Sequence, residues 1–367
     1  MADPRVEAVA KILVDYSVEV KPNQLVRVTG APEGAPLVLA VYQRVLERGA
    51  HPWIQLGLDG AQELFYSYAG DAQLDYVPAF VNDVIEQIDV SIGIWTDVNT
   101  KELTNADPAK QSRRAVAMRP LSERFLERAA KKEVRWTATL HPTNAFAQDA
   151  EMSLREFEDF VYKAGLVRES DPIRAWQAVS REQQRVVDWL NKAREIKVLG
   201  PDTDLRLEVA GRKWQNCDGH ENFPDGEIFT GPVEQSVNGH IRYTYPACEH
   251  GREVEDVRLE FKEGRVTNAT AAKNEQFLLQ MLETDEGARY IGEFAFGTNP
   301  GIQRFTKNTL FDEKIGGTIH LALGKGYPET GSKNSSAIHW DMVCDLRQGG
   351  EVWVDDTLFL KDGKILV

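Results

Sequence analysis

The sequence predicts an α/β N-terminal domain with a mainly parallel sheet, followed by a mixed α+β C-terminal domain. Two observations carry this. Through the first half, short β-rich runs alternate with amphipathic helical runs, the order that builds parallel layers. After Lys197 the texture changes to short β runs separated by Gly, Asn and Asp, as expected of antiparallel connections. A chain of 367 residues suits two domains, expected over 1–190 and 191–367.

Asp3-Pro4 reads as a helix N-cap followed by proline at the first helical position. Gln24 to Thr29 is a β-rich run closed by Gly30, and Leu37 to Arg48 is apolar at helical spacing up to Gly49. Strands are expected at Pro52 to Leu56, at the mostly apolar run Val90 to Trp95, and at Val134 to Leu140; Arg113 to Lys132 reads as a charged amphipathic helix. A long helix over Asp171 to Glu195 precedes the change of texture. Beyond it, Leu205 to Val209, His240 to Tyr245, Glu253 to Phe261 and Val266 to Ala271 read as strands, with a hairpin at Lys262-Glu263-Gly264. A helix over Glu275 to Glu283 follows, then strands at Thr318 to Leu323 and Ala337 to Val343.

Apolar residues make up 42% and charged residues 27% of the chain, which excludes disorder over most of its length. The net charge of −14 argues against a nucleic-acid binder or a protein that adheres to anionic membranes. Cys217, Cys248 and Cys344 form no CxxC pair and no even framework, so neither a zinc knuckle nor a disulfide scaffold is indicated. No signal-peptide pattern and no membrane-length apolar run occur. A cytoplasmic location is expected.

The chemistry concentrates in the last third. In SAIHWDMVCDL, His339 and Asp341 are two apart on a strand and project together, while Ile338, Trp340 and Met342 face the core. Either a divalent cation satisfies both groups, or they form a local hydrogen bond on an exposed face. In GGTIHLALGKGYP, His320 is the strongly polar group in the middle of a short strand. Tyr327 follows the turn of Gly324 and Gly326, where it either packs or donates to a developing oxyanion. Glu227 follows the Pro-Asp-Gly turn of NFPDGEIFTGP. Glu293 sits among the aromatic residues of YIGEFAFGTNP, where it needs either a metal or an arginine such as Arg289 or Arg304. His51, His141, His240 and His250 lack such company and read as structural. Three carboxylates and two imidazoles suit Zn²⁺, Co²⁺ or Mn²⁺. Five side chains exceed the needs of one catalytic zinc and suit a pair of ions ~3.5–4 Å apart.

These four segments, in their order along the chain, resemble the aminopeptidase T/AmpS family of metallo-aminopeptidases. The resemblance implies metal ligands at Glu227, Glu293, His320, His339 and Asp341, with Glu293 bridging, a further acidic position at Glu313, and a tyrosine near the metals at Tyr327. It also implies cobalt, zinc or magnesium as the metal, a homodimer, and peptide substrates with a free N-terminus, whose first residue is removed by attack of metal-activated water. In that scheme Tyr327 stabilises the oxyanion and Glu227 or a nearby carboxylate carries the proton. A dimetal amidase or phosphoesterase, and a non-catalytic metal-stabilised binding protein, are the alternatives.

Overall fold

The computed structural model describes residues 3–249 and 251–367; His250, read above as structural, lies outside them. The chain divides into two units, Met1–Ile173 with Gly219–Pro224, and Arg174–Asp218 with Asp225–Val367.

In the first unit, Leu25–Gly30, His51–Leu56, Val90–Trp95 and Arg135–Leu140 are strands, joined by the short strand Asn222–Phe223. Every pairing among them is parallel. Helix Pro4–Ile12 starts where the Asp3 side chain accepts from the Arg5 amide at 2.8 Å. The charged helix begins earlier than its periodicity indicates, at Pro108, because Asp107 caps it and proline occupies its first position. It runs to Ala130 with Pro120 inside it. Helices Ala61–Tyr68 and Asp71–Asp75 carry too few buried residues to leave a periodic signature.

The second unit opens with helix Pro172–Leu190, which stops short of Glu195 because a strand, Glu195–Gly200, starts there. Two large antiparallel sheets follow, besides the two-stranded ribbon of Ala247–Glu249 and Arg252–Val254. An eight-stranded sheet is built from Glu195–Gly200, Thr203–Glu208, Asn238–Arg242, Arg258–Lys262, Arg265–Thr270 and three C-terminal strands. The run expected as one strand over Glu253 to Phe261 is two, Arg252–Val254 and Arg258–Lys262, broken at Asp256, which takes a positive φ of 53°. The other sheet has five strands in the order His339–Asp345, Thr318–Gly324, Ile291–Gly297, Glu227–Thr230 and Gln215–Cys217.

Alternation gives the five-stranded sheet two unlike faces. Ile228, Phe294, Phe296, Ile319, Leu321, Leu323, Trp340 and Met342 lie on one, in a buried cluster shared with Ile196, Val198, Leu205 and Leu207 of the eight-stranded sheet. Phe296 ties the layers together. Its ring centre is 4.9 Å from Phe359, 5.1 Å from Phe294 and 5.7 Å from Trp214. Replacing Phe296 by alanine lowers stability by ~3–5 kcal/mol, measured as a shift in urea unfolding; a loss below ~1 kcal/mol would show that the sheets do not depend on this contact.

Candidate metal centre

The opposite face of the five-stranded sheet collects the polar residues. Asp341 is paired across the ladder with Ala322, and Ala322 with Glu293; His320 is opposite Ala295, and Gly297 opposite Glu227. Residues opposed in a ladder share a face, so His339, Asp341, His320, Glu293 and Glu227 all project the same way. The residues between them are alanine and glycine, which leaves room above the sheet. The register slips between Ile291 and Glu293, and such a bulge re-aims the side chain beside it. Gly292 occupies the slip, where any Cβ would collide with the Gly324 carbonyl.

Four nitrogen–oxygen separations define the centre. His320 Nε2 is 3.5 Å from Glu227 Oε2 and 3.4 Å from Glu293 Oε1. His339 Nε2 is 3.4 Å from Glu293 Oε2 and 3.4 Å from Asp341 Oδ2. Hydrogen bonds between ions are shorter, about 2.7–2.9 Å. Two ligand atoms ~2.1 Å from one tetrahedral ion stand about 3.4 Å apart. The two oxygens of Glu293 divide between the histidines, one to each. Arg289, an arginine considered for Glu293, pairs with Glu283 instead.

Glu313 ends the short helix Thr309–Asp312 and joins Glu227 and His320 in one group of convergent ligand atoms; Glu293, His339 and Asp341 form a second. Lys314 was not singled out from sequence. Its side chain is 1% exposed, with Nζ 2.6 Å from Glu313 Oε2 and 3.5 Å from Glu227 Oε1. The only local signal was its place in an Asp-Glu-Lys triplet ahead of Ile315 and two glycines, which reads as a solvated turn. Gly324, at φ 95°, turns the chain toward Tyr327. The Tyr327 ring lies 5.2 Å from those of His339 and Phe229, over the polar face. Gln183, on helix Pro172–Leu190, donates to the Glu227 carbonyl at 3.1 Å and so fixes that strand. Cys217, Asp225 and Glu227 form a third group of convergent atoms, but burial and the Glu227 charge push the Cys217 thiol up. A protonated thiol is a poor ligand. His51, His141, His220 and His240 belong to none of the three groups.

The ionisation pattern shows strong mutual dependence. Burial opposes charge on both imidazoles, yet Glu293 and Glu227 raise His320 to about 9, and Asp341 and Glu293 raise His339 to about 12. Burial pushes Glu313 up to about 8 against the pull of Lys314. Burial would also raise Asp341, but His339 and His320 hold it well below the usual carboxylate range. Burial, then the charges of Glu293 and Asp341, push Tyr327 up, so its hydroxyl stays protonated. Glu227 Oε2, Asp341 Oδ1 and His320 Nδ1 are buried without hydrogen-bond partners. Buried polar atoms in this state are rare, and unsatisfied oxygens facing a shared space suit a cation. His339 Nδ1 is 2.7 Å from the Lys325 carbonyl. Since a carbonyl only accepts, that nitrogen carries a proton, which leaves Nε2, facing the carboxylates, as the atom that would bind a metal, the usual support of a metal-binding histidine. The donor set of imidazoles and carboxylates therefore fits divalent metal ions.

Fold and residues together define a peptide-bond hydrolase of the metallopeptidase class. A family profile described as thermophilic metalloprotease (M29) matches residues 2–363, and the chain belongs to that family. Aminopeptidase 2 from Geobacillus stearothermophilus is 27% identical over 358 residues, 90% of this chain and 85% of the relative. The solved structure of wild-type AmpT from Thermus thermophilus has a similar fold, with a TM-score of 0.87, 24% identity and 99% of each chain covered. The structure of a 2,5-dihydroxypyridine dioxygenase from Pseudomonas putida has the same general fold, with a TM-score of 0.61, 14% identity and 98% and 96% of the two chains covered. Among the described residues no helix is long and apolar enough to cross a membrane.

Metal ions and protons compete for these imidazoles, because a ligating histidine must be neutral. Both carry protons at pH 7 in the metal-free protein, since both are raised above it. Loading with Zn²⁺ at pH 7 releases protons from both imidazoles and from Glu313, and apparent affinity climbs as pH rises toward 9. A pH-stat titration measures this. Loading without proton release, at an affinity independent of pH, would show that the imidazoles are not ligands.

Proposed function

We propose that this chain is an aminopeptidase that uses two divalent ions, one held by Glu227, Glu313 and His320, the other by His339 and Asp341, with Glu293 bridging them. The observation that carries the reading is the division of the Glu293 carboxylate, with Oε1 3.4 Å from His320 and Oε2 3.4 Å from His339. Zinc, cobalt, manganese and magnesium are the candidate ions on donor chemistry and family resemblance. When bound, such ions polarise a carbonyl and bring the pKa of water toward neutrality.

The chain's own residues supply the rest. Tyr327 keeps its proton and overlies the polar face, so its hydroxyl is a donor for the oxyanion of the attacked carbonyl. For proton transfer to the leaving amine, Glu313 suits better than Glu227. Glu313 titrates at about 8, near the working range of a proton carrier. The carboxylates of this face also attract the ammonium end of a peptide. Exopeptidase action is supported by the aminopeptidase names of the relatives, and family resemblance extends the reading to a cytoplasmic homodimer.

A dipeptide and its N-acetylated form distinguish this activity from a general amidase. The free dipeptide is hydrolysed, hydrolysis stops with a chelator and returns with Co²⁺ or Zn²⁺, and the acetylated form is not cut; equal cleavage of both rejects the aminopeptidase reading. Glu293→Gln abolishes metal-dependent turnover while circular dichroism stays unchanged; full activity in this variant rejects the bridging role. Tyr327→Phe lowers kcat by ~10²–10³-fold with little change in KM, and an unchanged kcat would remove Tyr327 from the chemistry.

A further inference from the structure

We infer that Lys314 makes the two halves of the centre unequal: its buried ammonium holds down the affinity of the Glu227/Glu313/His320 half, so that the Glu293/His339/Asp341 half fills first and keeps its ion. This rests on the two-ion reading above and adds an order of loading to it.

Lys314 competes directly for the lone pairs that an ion in the first half would use. Its Nζ is 2.6 Å from Glu313 Oε2 and 3.5 Å from Glu227 Oε1, so both carboxylates of that half already face a cation. The side chain is 1% exposed, which leaves it no route to swing into solvent when an ion arrives. Buried charges are also screened little by salt, so the ammonium and an incoming divalent ion repel each other nearly undiminished. The second half has no such competitor. Among the described residues no lysine or arginine is ion-paired with Glu293 or Asp341, whose ionic partners are His320 and His339.

The histidines also differ in what holds each ring from behind. His339 is held ready for an ion by the contact of its Nδ1 with the Lys325 carbonyl, at 2.7 Å. His320 Nδ1 is buried without a partner, so nothing outside the centre fixes its ring. A supporting hydrogen bond behind a ligating histidine is typically worth 10–100-fold in metal affinity. The consequence for the enzyme is that one ion is resident and the other exchangeable. Turnover then follows the free concentration of the divalent ion through the Glu227 half alone.

The test is a titration of the metal-free full-length protein with Co²⁺, paired with anomalous diffraction from crystals given one equivalent. The expected result is two binding steps separated by at least ~10-fold, with the first equivalent beside His339 and Asp341. Lys314→Met, which removes the charge and keeps the length, tightens the weaker step by ~10-fold or more and shifts the tighter one less than ~3-fold. Lys314→Gln, which keeps a hydrogen-bond donor for the carboxylates, does the same. Equal occupancy of both halves, first loading beside Glu227, or a weaker second step in these variants overturns the inference while leaving two bound ions in place. Binding of no ion at all overturns the two-ion reading itself. Should neither variant fold, the loading order in the wild-type crystals decides the matter.

Discussion

Glu227, Glu293, Glu313 and Asp341 lie on or against one face of a single sheet, each largely withdrawn from water. Carboxylates so placed repel one another, and burial makes each charge expensive to keep. The opposite face of the same strands is the aromatic and aliphatic core of the unit. The strands are therefore not free to slide or turn to separate the charges, because a slip of one residue would bring the core residues onto the polar face. Cations are what reconcile the two faces. Lys314 supplies one internally, protonated imidazoles supply others in the metal-free protein, and divalent ions fit the spacing that those imidazoles leave.

Several features of the unit make sense as consequences of this arrangement. Ala322, Ala295 and Gly297 are the positions between the polar side chains, and larger residues there would fill the space that an ion and a substrate carbonyl need. The bulge at Gly292 brings Glu293 into the row of Ala322 and Asp341. Gln183 ties the helix that opens the unit to the Glu227 strand and to Thr298, just past the Glu293 strand. The helix thus braces two of the strands that carry carboxylates. The dioxygenase neighbour shares the overall fold at 14% identity, so the architecture alone does not choose the chemistry. The choice lies with the side chains on the polar face.

What could be read from the sequence follows a physical division. Local alternation marked the strands of the first unit, and Val90–Trp95 matches its expected range end to end. The two-residue repeat also gave the orientation of His339 and Asp341 against Trp340 and Met342, because a strand's faces depend on neighbours in sequence. The order of strands in the five-stranded sheet could not be read in this way, since it brings together residues as distant as Glu227 and Asp341. The return of Gly219–Pro224 to the first unit is likewise non-local: Ala138 and Thr139 pair with Asn222 and Phe223, and no pattern around residue 220 announces it. Lys314 was hidden for a different reason. A lysine between a glutamate and an isoleucine resembles an ordinary surface residue until the fold encloses it.

In the proposed two-ion site, Glu293 joins the metal ions through its separate oxygens. X-ray absorption on protein loaded with two equivalents of Co²⁺ or Zn²⁺ tests it most directly. The expected result is a first shell of nitrogen and oxygen at ~2.0–2.2 Å, no sulfur, and a metal–metal vector at ~3.5–4 Å that disappears in Glu293→Gln. A first shell containing sulfur, or no metal–metal vector in the fully loaded wild-type protein, would contradict it.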